Sequence, residues 1–284
     1  MCDDKPRIGF VILVWNSGKV IDKCLKSITA LREVRPYVAV VDNGSTDRTP
    51  DIISRYRHEY PDIFEIITFS VNKGATVSRN AGLKLLMSRH VDYYCVLDSD
   101  TEVNDDAFTK MIHEMKTHPQ YGIIGPSMSD SKGVLQVSAR CFPTITEKIF
   151  KAVPLKFIQR IGERMEIQHP SSDDAKSYPV DYLMSACWLI RSDVIDESAL
   201  LFDEKIFYAP EDAEYCIRVW KSGYQVAFCP SAWIIHEWQR LSKKKLFSRH
   251  NWEHLKGLAY MFRKHGYCFS TGRLRKTFMK GEKD

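Results

Sequence analysis

The chain has 284 residues, 44% of them hydrophobic and 27% charged, which excludes a disordered or fibrous protein and leaves ample material for a buried core. No apolar run approaches the ~18 residues needed to cross a bilayer, and the N-terminus enters a strand pattern without the apolar stretch of a secretory signal. The net charge of +5 is unevenly spread: Arg240–Asp284 carries 13 Lys or Arg against 3 Asp or Glu, and residues 1–239 are net −5, so an anionic partner is expected at the C-terminus.

In chain order, Arg7–Val14 reads as a strand, and Ile21, Cys24, Leu25 and Ile28 then share one face of a helix. Val38–Val41 is a short β-branched strand ending at Asp42-Asn43-Gly44-Ser45. Thr49-Pro50 opens a helix, since proline suits a first helical position. Phe64–Phe69 is a third strand, Ala75–His90 a helix, and Tyr93–Leu97 a buried strand closed by Asp98-Ser99-Asp100. Phe108, Met111, Ile112 and Met115 mark the next helix. This alternation predicts a doubly wound, mostly parallel α/β sheet.

The pattern then changes. Ile123–Met128 and Val134–Ala139 read as strands joined by a polar turn, and Tyr182–Ile190 as another. Residues 143–178 give few turn signals, and Val153–Ile161 mixes apolar with basic side chains. Asp212–Ser222 is a helix stopped by Gly223, Val226–Cys229 and Ala232–Ile235 are short strands, and a helical pattern runs from Ser242 to His265. Eight cysteines, none in a C-x-x-C pair, are expected as buried free thiols in a reducing compartment.

Ligands in open α/β sheets bind beyond the carboxyl ends of the strands. Four polar loops have that address: Asn16-Ser17-Gly18, Asp42-Asn43-Gly44-Ser45-Thr46-Asp47, Asn72-Lys73-Gly74 and Asp98-Ser99-Asp100. Each alone is an ordinary turn; four on one edge suit a nucleotide. Asp42 could accept the N3–H of a pyrimidine. Arg79 could reach a phosphate or base edge, or be a solvated helix cation. Asp98 and Asp100, one residue apart, suit a hard divalent cation against a diphosphate, and His236 at a strand end is a candidate third ligand. Glu211-Asp212 at a helix start fits either the helix dipole or a base beside a sugar.

Together these blocks resemble the family 2 glycosyltransferases of the GT-A fold, in particular the rhamnosyltransferase-like branch that builds bacterial surface polysaccharides. The matching residues are Val41–Asp47, Asn72-Lys73-Gly74 with Arg79-Asn80-Ala81-Gly82, Leu97–Asp100, Leu201–Glu204 with Phe207, Glu211-Asp212, Arg218 and Gly223, and Pro230–His236, over roughly 7–240. One departure is Glu214, where relatives often carry Asp. The resemblance implies an inverting transfer from a nucleoside-diphosphate sugar to a saccharide or lipid-linked acceptor. Asp100 and Asp98, with His236, would hold Mg²⁺ or Mn²⁺. Asn16, Asp42, Asn43, Asn72, Gly74, Arg79, Asp98 and Ser99 would bind the donor, with Asp212 as base and Glu211 orienting it or binding acceptor. It further implies a donor half at 1–125, an acceptor and catalytic half at 126–240, and a basic helical extension at 241–284.

The expected location is cytoplasmic, the basic extension offering a route to the anionic inner face of the membrane. Two rivals are a sugar-nucleotide nucleotidyltransferase and a non-enzymatic binder of anionic polymers. Against the first, Trp15-Asn16-Ser17-Gly18-Lys19 is poor in glycine; against the second, and against nucleic acid as partner, the body is acidic.

Overall fold

The computed structural model describes residues 5–168, 177–196, 200–238 and 249–278. The first half runs β1 (Arg7–Val14), α1 (Ile21–Thr29), β2 (Arg35–Asp42), α2 (Thr49–Glu59), β3 (Phe64–Thr68), α3 (Ala75–Met87), β4 (Tyr93–Asp98), β5 (Thr101–Glu102) and α4 (Asp105–Thr117). β3, β2, β1 and β4 lie side by side and parallel, in that order. Helices cover both faces, so β1 is apolar throughout rather than alternating. Phe10, Ile12 and Val14 join one core, where Phe10 meets Phe108 of α4 edge-on at 5.4 Å. Val11 points the other way, onto Leu83 and Leu86 of α3. Each such fully buried side chain contributes about 1.5–3 kcal/mol.

The second half comprises β6 (Tyr121–Ser129), β7 (Leu135–Gln136), β8 (Ala139–Arg140), α5 (Ile145–Ala152), α6 (Lys156–Glu166), β9 (Tyr178–Pro179), β10 (Tyr182–Leu183), β11 (Cys187–Arg191), α7 (Ser192–Asp196), α8 (Glu211–Lys221), β12 (Gln225–His236), α9 (Arg249–His265) and α10 (Gly272–Phe278). It extends the sheet as β4-β11-β6-β12-β5. β11 is antiparallel to both neighbours, and β12 is parallel to β6. The mixed α/β sheet therefore stays mostly parallel where the polar loops lie.

Several sequence expectations change here. Tyr182–Ile190 is two strands, because Met184–Ala186 turns past the end of β4, where the Asp98 N–H donates to the Ala186 carbonyl at 2.9 Å. β10 pairs with β8 in a separate ribbon, which also removes Ala139 from the expected Val134–Ala139 strand. The two strands before His236 are one, β12, bulged between Cys229 and Trp233, where Pro230 has no N–H for a ladder. The opaque 143–178 stretch contains α5 and α6, with Thr144 capping α5 through the Glu147 N–H at 3.1 Å. Of the helix expected over 242–265, residues 242–248 lie outside the described residues, and the rest is α9. Among the described residues all seven cysteines are free, five of them buried, and no helix is long and apolar enough to cross a membrane.

Glu214, the departure from the usual Asp, is 1% exposed. Its longer carboxylate takes both Arg218, at 3.0 Å, and the C-terminal helix α9, through Lys264 at 2.7 Å and His265 at 3.2 Å. A Cβ on Gly257 of α9 would stand 2.2 Å from the Ala209 carbonyl oxygen, so α9 rests directly on the segment that precedes α8.

Candidate active site

The four loops leaving the parallel strands are stitched together in the order of the strands. Ser99 after β4 shares a hydrogen bond with Ser17 after β1, Oγ to Oγ at 2.9 Å. Asn16 Oδ1 accepts the Thr46 N–H at 2.8 Å, joining the β1 and β2 loops. Asn43 donates to Asn72 Oδ1 at 2.9 Å and accepts the Lys73 N–H at 2.8 Å, joining the β2 and β3 loops. The last stitch reaches residues far along the chain. The Ala75 N–H donates to the Phe207 carbonyl at 2.7 Å, and Thr76 Oγ1 donates to the Ile206 carbonyl at 2.6 Å. Asn80 adds a two-way bond to the backbone of Phe202.

Gly74 is required at that junction. Its φ is +90°, and a Cβ there would lie 2.4 Å from the Phe207 carbonyl oxygen. Gly133 has a similar φ of +79° with nothing nearby. Gly74→Ala is therefore expected to lower stability by more than the strain alone, about 1–3 kcal/mol, and to cost more than Gly133→Ala. Thermal melts of the two variants compare them, and equal losses would remove the clash from the account.

Against these loops lies a cavity of about 390 Å³. Every residue expected to bind donor, metal or acceptor lines it except Asp42. Asp42 is 1% exposed, and its Oδ1 accepts the Ser45 N–H at 2.9 Å, so it shapes the turn behind the cavity wall. Asn43 is equally buried, its side chain engaged in the loop-to-loop bonds above.

Arg79 is not a solvated cation. It is 5% exposed, one turn into α3, and its guanidinium reaches Glu211 Oε1 at 2.9 Å with Nη1 and Asp98 Oδ1 at 3.2 Å with Nη2. Burial works against its charge, but Glu211 and Asp98 outweigh it, and Arg79 stays protonated. Removing it would leave the buried Glu211 carboxylate without its cation, a loss of about 3–5 kcal/mol for a broken buried pair.

Glu211 and Asp212 open α8, where the helix dipole favours negative charge. Glu211 Oε1 also accepts from Ser185 Oγ at 3.2 Å. Burial, with the neighbouring Asp212 charge, still pushes Glu211 up to about 7. Asp212 is raised by burial too, against the opposing pull of the Ala213 N–H at 2.7 Å and of Arg140.

On the other side of Arg79, Asp98, Asp100 and His236 offer ligand atoms that all lie within 4.8 Å of one another. Gln136 of β7, which stands in no motif, orients the histidine. Its Nε2 donates to the His236 carbonyl at 2.7 Å, so its Oε1 is the atom 2.6 Å from His236 Nδ1. Nδ1 must then carry the hydrogen, and Nε2 turns toward Asp100 Oδ1 at 3.3 Å. Two carboxylates and an imidazole held this way have the composition of a divalent cation site. Ser185 and Gln136 were not legible because both sit in short stretches that read as uniform strand.

Fold and cavity together define a glycosyltransferase of the GT-A class. The chain belongs to glycosyl transferase family 2, whose family model matches residues 10–198. It is 26% identical over 237 residues to the N-acetylglucosaminyl-diphospho-decaprenol L-rhamnosyltransferase of Mycobacterium tuberculosis, covering 80% of this chain and 74% of that one. Two solved structures share the fold. GalNAc-T7, crystallised with UDP, GalNAc and Mn²⁺, has a TM-score of 0.67 at 13% identity, over 99% of this chain and 55% of that one. The mannosyltransferase PcManGT of Pyrobaculum calidifontis, with GDP-Man and Mn²⁺, has a TM-score of 0.60 at 15% identity, over 99% and 70%.

Proposed function

We propose that this enzyme transfers a hexose, rhamnose first among the candidates, from a nucleoside-diphosphate donor to a saccharide or lipid-linked acceptor, with inversion, in the synthesis of a cell-surface polysaccharide. The observation that carries this reading is Arg79, which bridges Asp98 of the cation cluster to Glu211 beside Asp212. Donor and acceptor ends of one reaction are thereby held at a fixed spacing. The mycobacterial relative named above supports rhamnose and a lipid-linked diphosphate acceptor, and the two neighbours' nucleotides support the donor class.

A single displacement needs one base near the acceptor. Among the described residues the cavity holds four carboxylates. Asp98 and Asp100 belong to the cation cluster and Glu211 to Arg79 and Ser185. Asp212 is left to take the acceptor's hydroxyl proton. Glu211 holds Arg79 and the start of α8 in place. Asp98, Asp100 and His236 would hold Mn²⁺ or Mg²⁺, and the imidazole in the set favours Mn²⁺ over the oxygen-seeking Mg²⁺. When bound, the cation supplies Lewis-acid neutralisation of the diphosphate leaving group.

Gln136→Leu removes the acceptor that orients His236. It is expected to weaken Mn²⁺ binding about 10-fold or more, read by electron paramagnetic resonance titration of the free enzyme; unchanged affinity would take Gln136 out of the site. A lipid-linked acceptor puts the reaction at a membrane surface, and the basic 241–284 segment suits the anionic inner face. The reading as a whole is tested by screening nucleotide sugars for Mn²⁺-dependent hydrolysis, dTDP-rhamnose first. Release of the nucleoside diphosphate is expected from at least one donor, and turnover of none would overturn the assignment.

A further inference from the structure

The α5–α6 pair falls in the stretch that is hardest to read from sequence, and its outer surface combines exposed apolar side chains with cations. On α6, Phe157, Ile161 and Met165 recur every four residues and stand 64%, 44% and 37% exposed. Lys156, Arg160 and Arg164 each precede one of them, forming a cationic ridge about 100° around the helix. The protein-facing side is a third one, marked by buried Gly162, whose Cβ would lie 2.9 Å from the Lys151 backbone nitrogen of α5. Among the described residues the exposed stripe therefore has no covering partner.

We propose that α6 docks the enzyme on an anionic membrane, the Phe157-Ile161-Met165 stripe entering the headgroup boundary while Lys156, Arg160 and Arg164 meet lipid phosphates. Charge complementarity selects this occupant. The lysines of α5 are engaged within the protein, Lys148 with Glu147 at 3.1 Å and Lys151 with Glu147 at 3.1 Å and Glu166 at 2.7 Å. Among the described residues no ion pair holds the three cations of α6. An apolar stripe beside unpaired Lys and Arg is the pattern of an interfacial helix, in which each basic residue near the surface adds to attraction for anionic lipid.

The surface is also continuous with the catalytic segment. α5 meets the C-terminal part of the chain through the Ile145 N–H on the Cys268 carbonyl at 2.7 Å and Thr146 Oγ1 on the Phe269 carbonyl at 3.0 Å. α9 in turn rests on Ala209, just before Glu211-Asp212. It exposes Trp252 and Leu255, 60% each and one turn apart. A bilayer met by α6 would thus be linked through α5 and α9 to the segment that precedes the base.

The inference deepens the membrane reading above and rests on it, while moving the contact from the C-terminal segment to α6. The test is co-sedimentation of the full chain with phosphatidylglycerol-containing and with pure phosphatidylcholine vesicles, for the native chain and for Phe157→Glu/Ile161→Glu. The native chain is expected to bind the anionic vesicles at least tenfold more tightly than the neutral ones, and the double variant to lose at least tenfold. Its nucleotide-sugar hydrolysis without vesicles should be unchanged, because both side chains are exposed and neither lines the cavity. Retained vesicle binding by the variant overturns the proposal and returns the contact to 241–284. A concentration-dependent dimer abolished by the same variant overturns it in favour of a second copy on α6. A native chain that binds neither vesicle removes both membrane readings, and the donor assay stands apart as the test of the enzymatic one.

Discussion

Asp212→Asn is expected to lower kcat by ~10²–10⁴-fold while leaving donor affinity unchanged, the usual scale for loss of a general base. The substitution keeps the size of the side chain and an oxygen for the Ala213 N–H, so the start of α8 should not move. Glu211→Gln should behave differently. Glu211 is bound to Arg79 and Ser185, so the loss of its charge falls on the position of Arg79 and on stability as well as on rate. Steady-state rates and thermal melts of the two variants separate a base from a positioning residue. Normal turnover by Asp212→Asn would end the assignment.

The same pair predicts the pH profile. Burial raises both, and the neighbouring Asp212 charge helps to bring Glu211 to about 7. The base acts only when ionised, so kcat should rise with pH through the neutral range, and the apparent pKa belongs to the pair rather than to either member. A rate that is flat between about pH 5.5 and 8.5 would contradict this origin.

Asp100→Ala is expected to abolish the metal-dependent part of donor binding, a loss of at least ~100-fold in Mn²⁺ affinity, since changes to mere supporting partners already cost 10–100-fold. It takes one oxygen from three ligand atoms held within 4.8 Å and leaves His236 Nε2 without the carboxylate it faces. Calorimetric titration of the nucleotide with Mn²⁺ and with chelator reads both quantities. If the affinities do not change, Asp98, Asp100 and His236 are not a cation site.

Much of this arrangement could be read from the chain alone. Parallel strands buried on both faces announce themselves as unbroken apolar runs, as β1 and β4 do, and polar residues straight after them have a predictable address. Asp98-Ser99-Asp100 and Asn72-Lys73-Gly74 have that address, whereas Glu211-Asp212 is read from its place at a helix start. The failures have one cause, which is that local periodicity carries no information about partners. Nothing in Tyr182–Ile190 signals a break, because the turn at Met184–Ala186 is imposed by the end of β4 and by Glu211 rather than by its own residues. Gln136 reads as an ordinary polar residue of an edge strand until His236 stands beside it. Asp42 has the right address for a ligand, and the structure adds that it is buried with its Oδ1 accepting a hydrogen bond from its own turn.

The alternation of strands and helices in the first half and the loops at the strand ends therefore follow from residue types and spacing, since hydrophobic pattern and turn chemistry are local, while the family is carried by the resemblance of the motif blocks. Which of those polar residues face the cavity was decided only by the tertiary structure. Arg79 shows why: a helix cation is worth little in water, and it becomes the bridge between Asp98 and Glu211 because residues 19 and 132 positions away are folded against it and water is shut out.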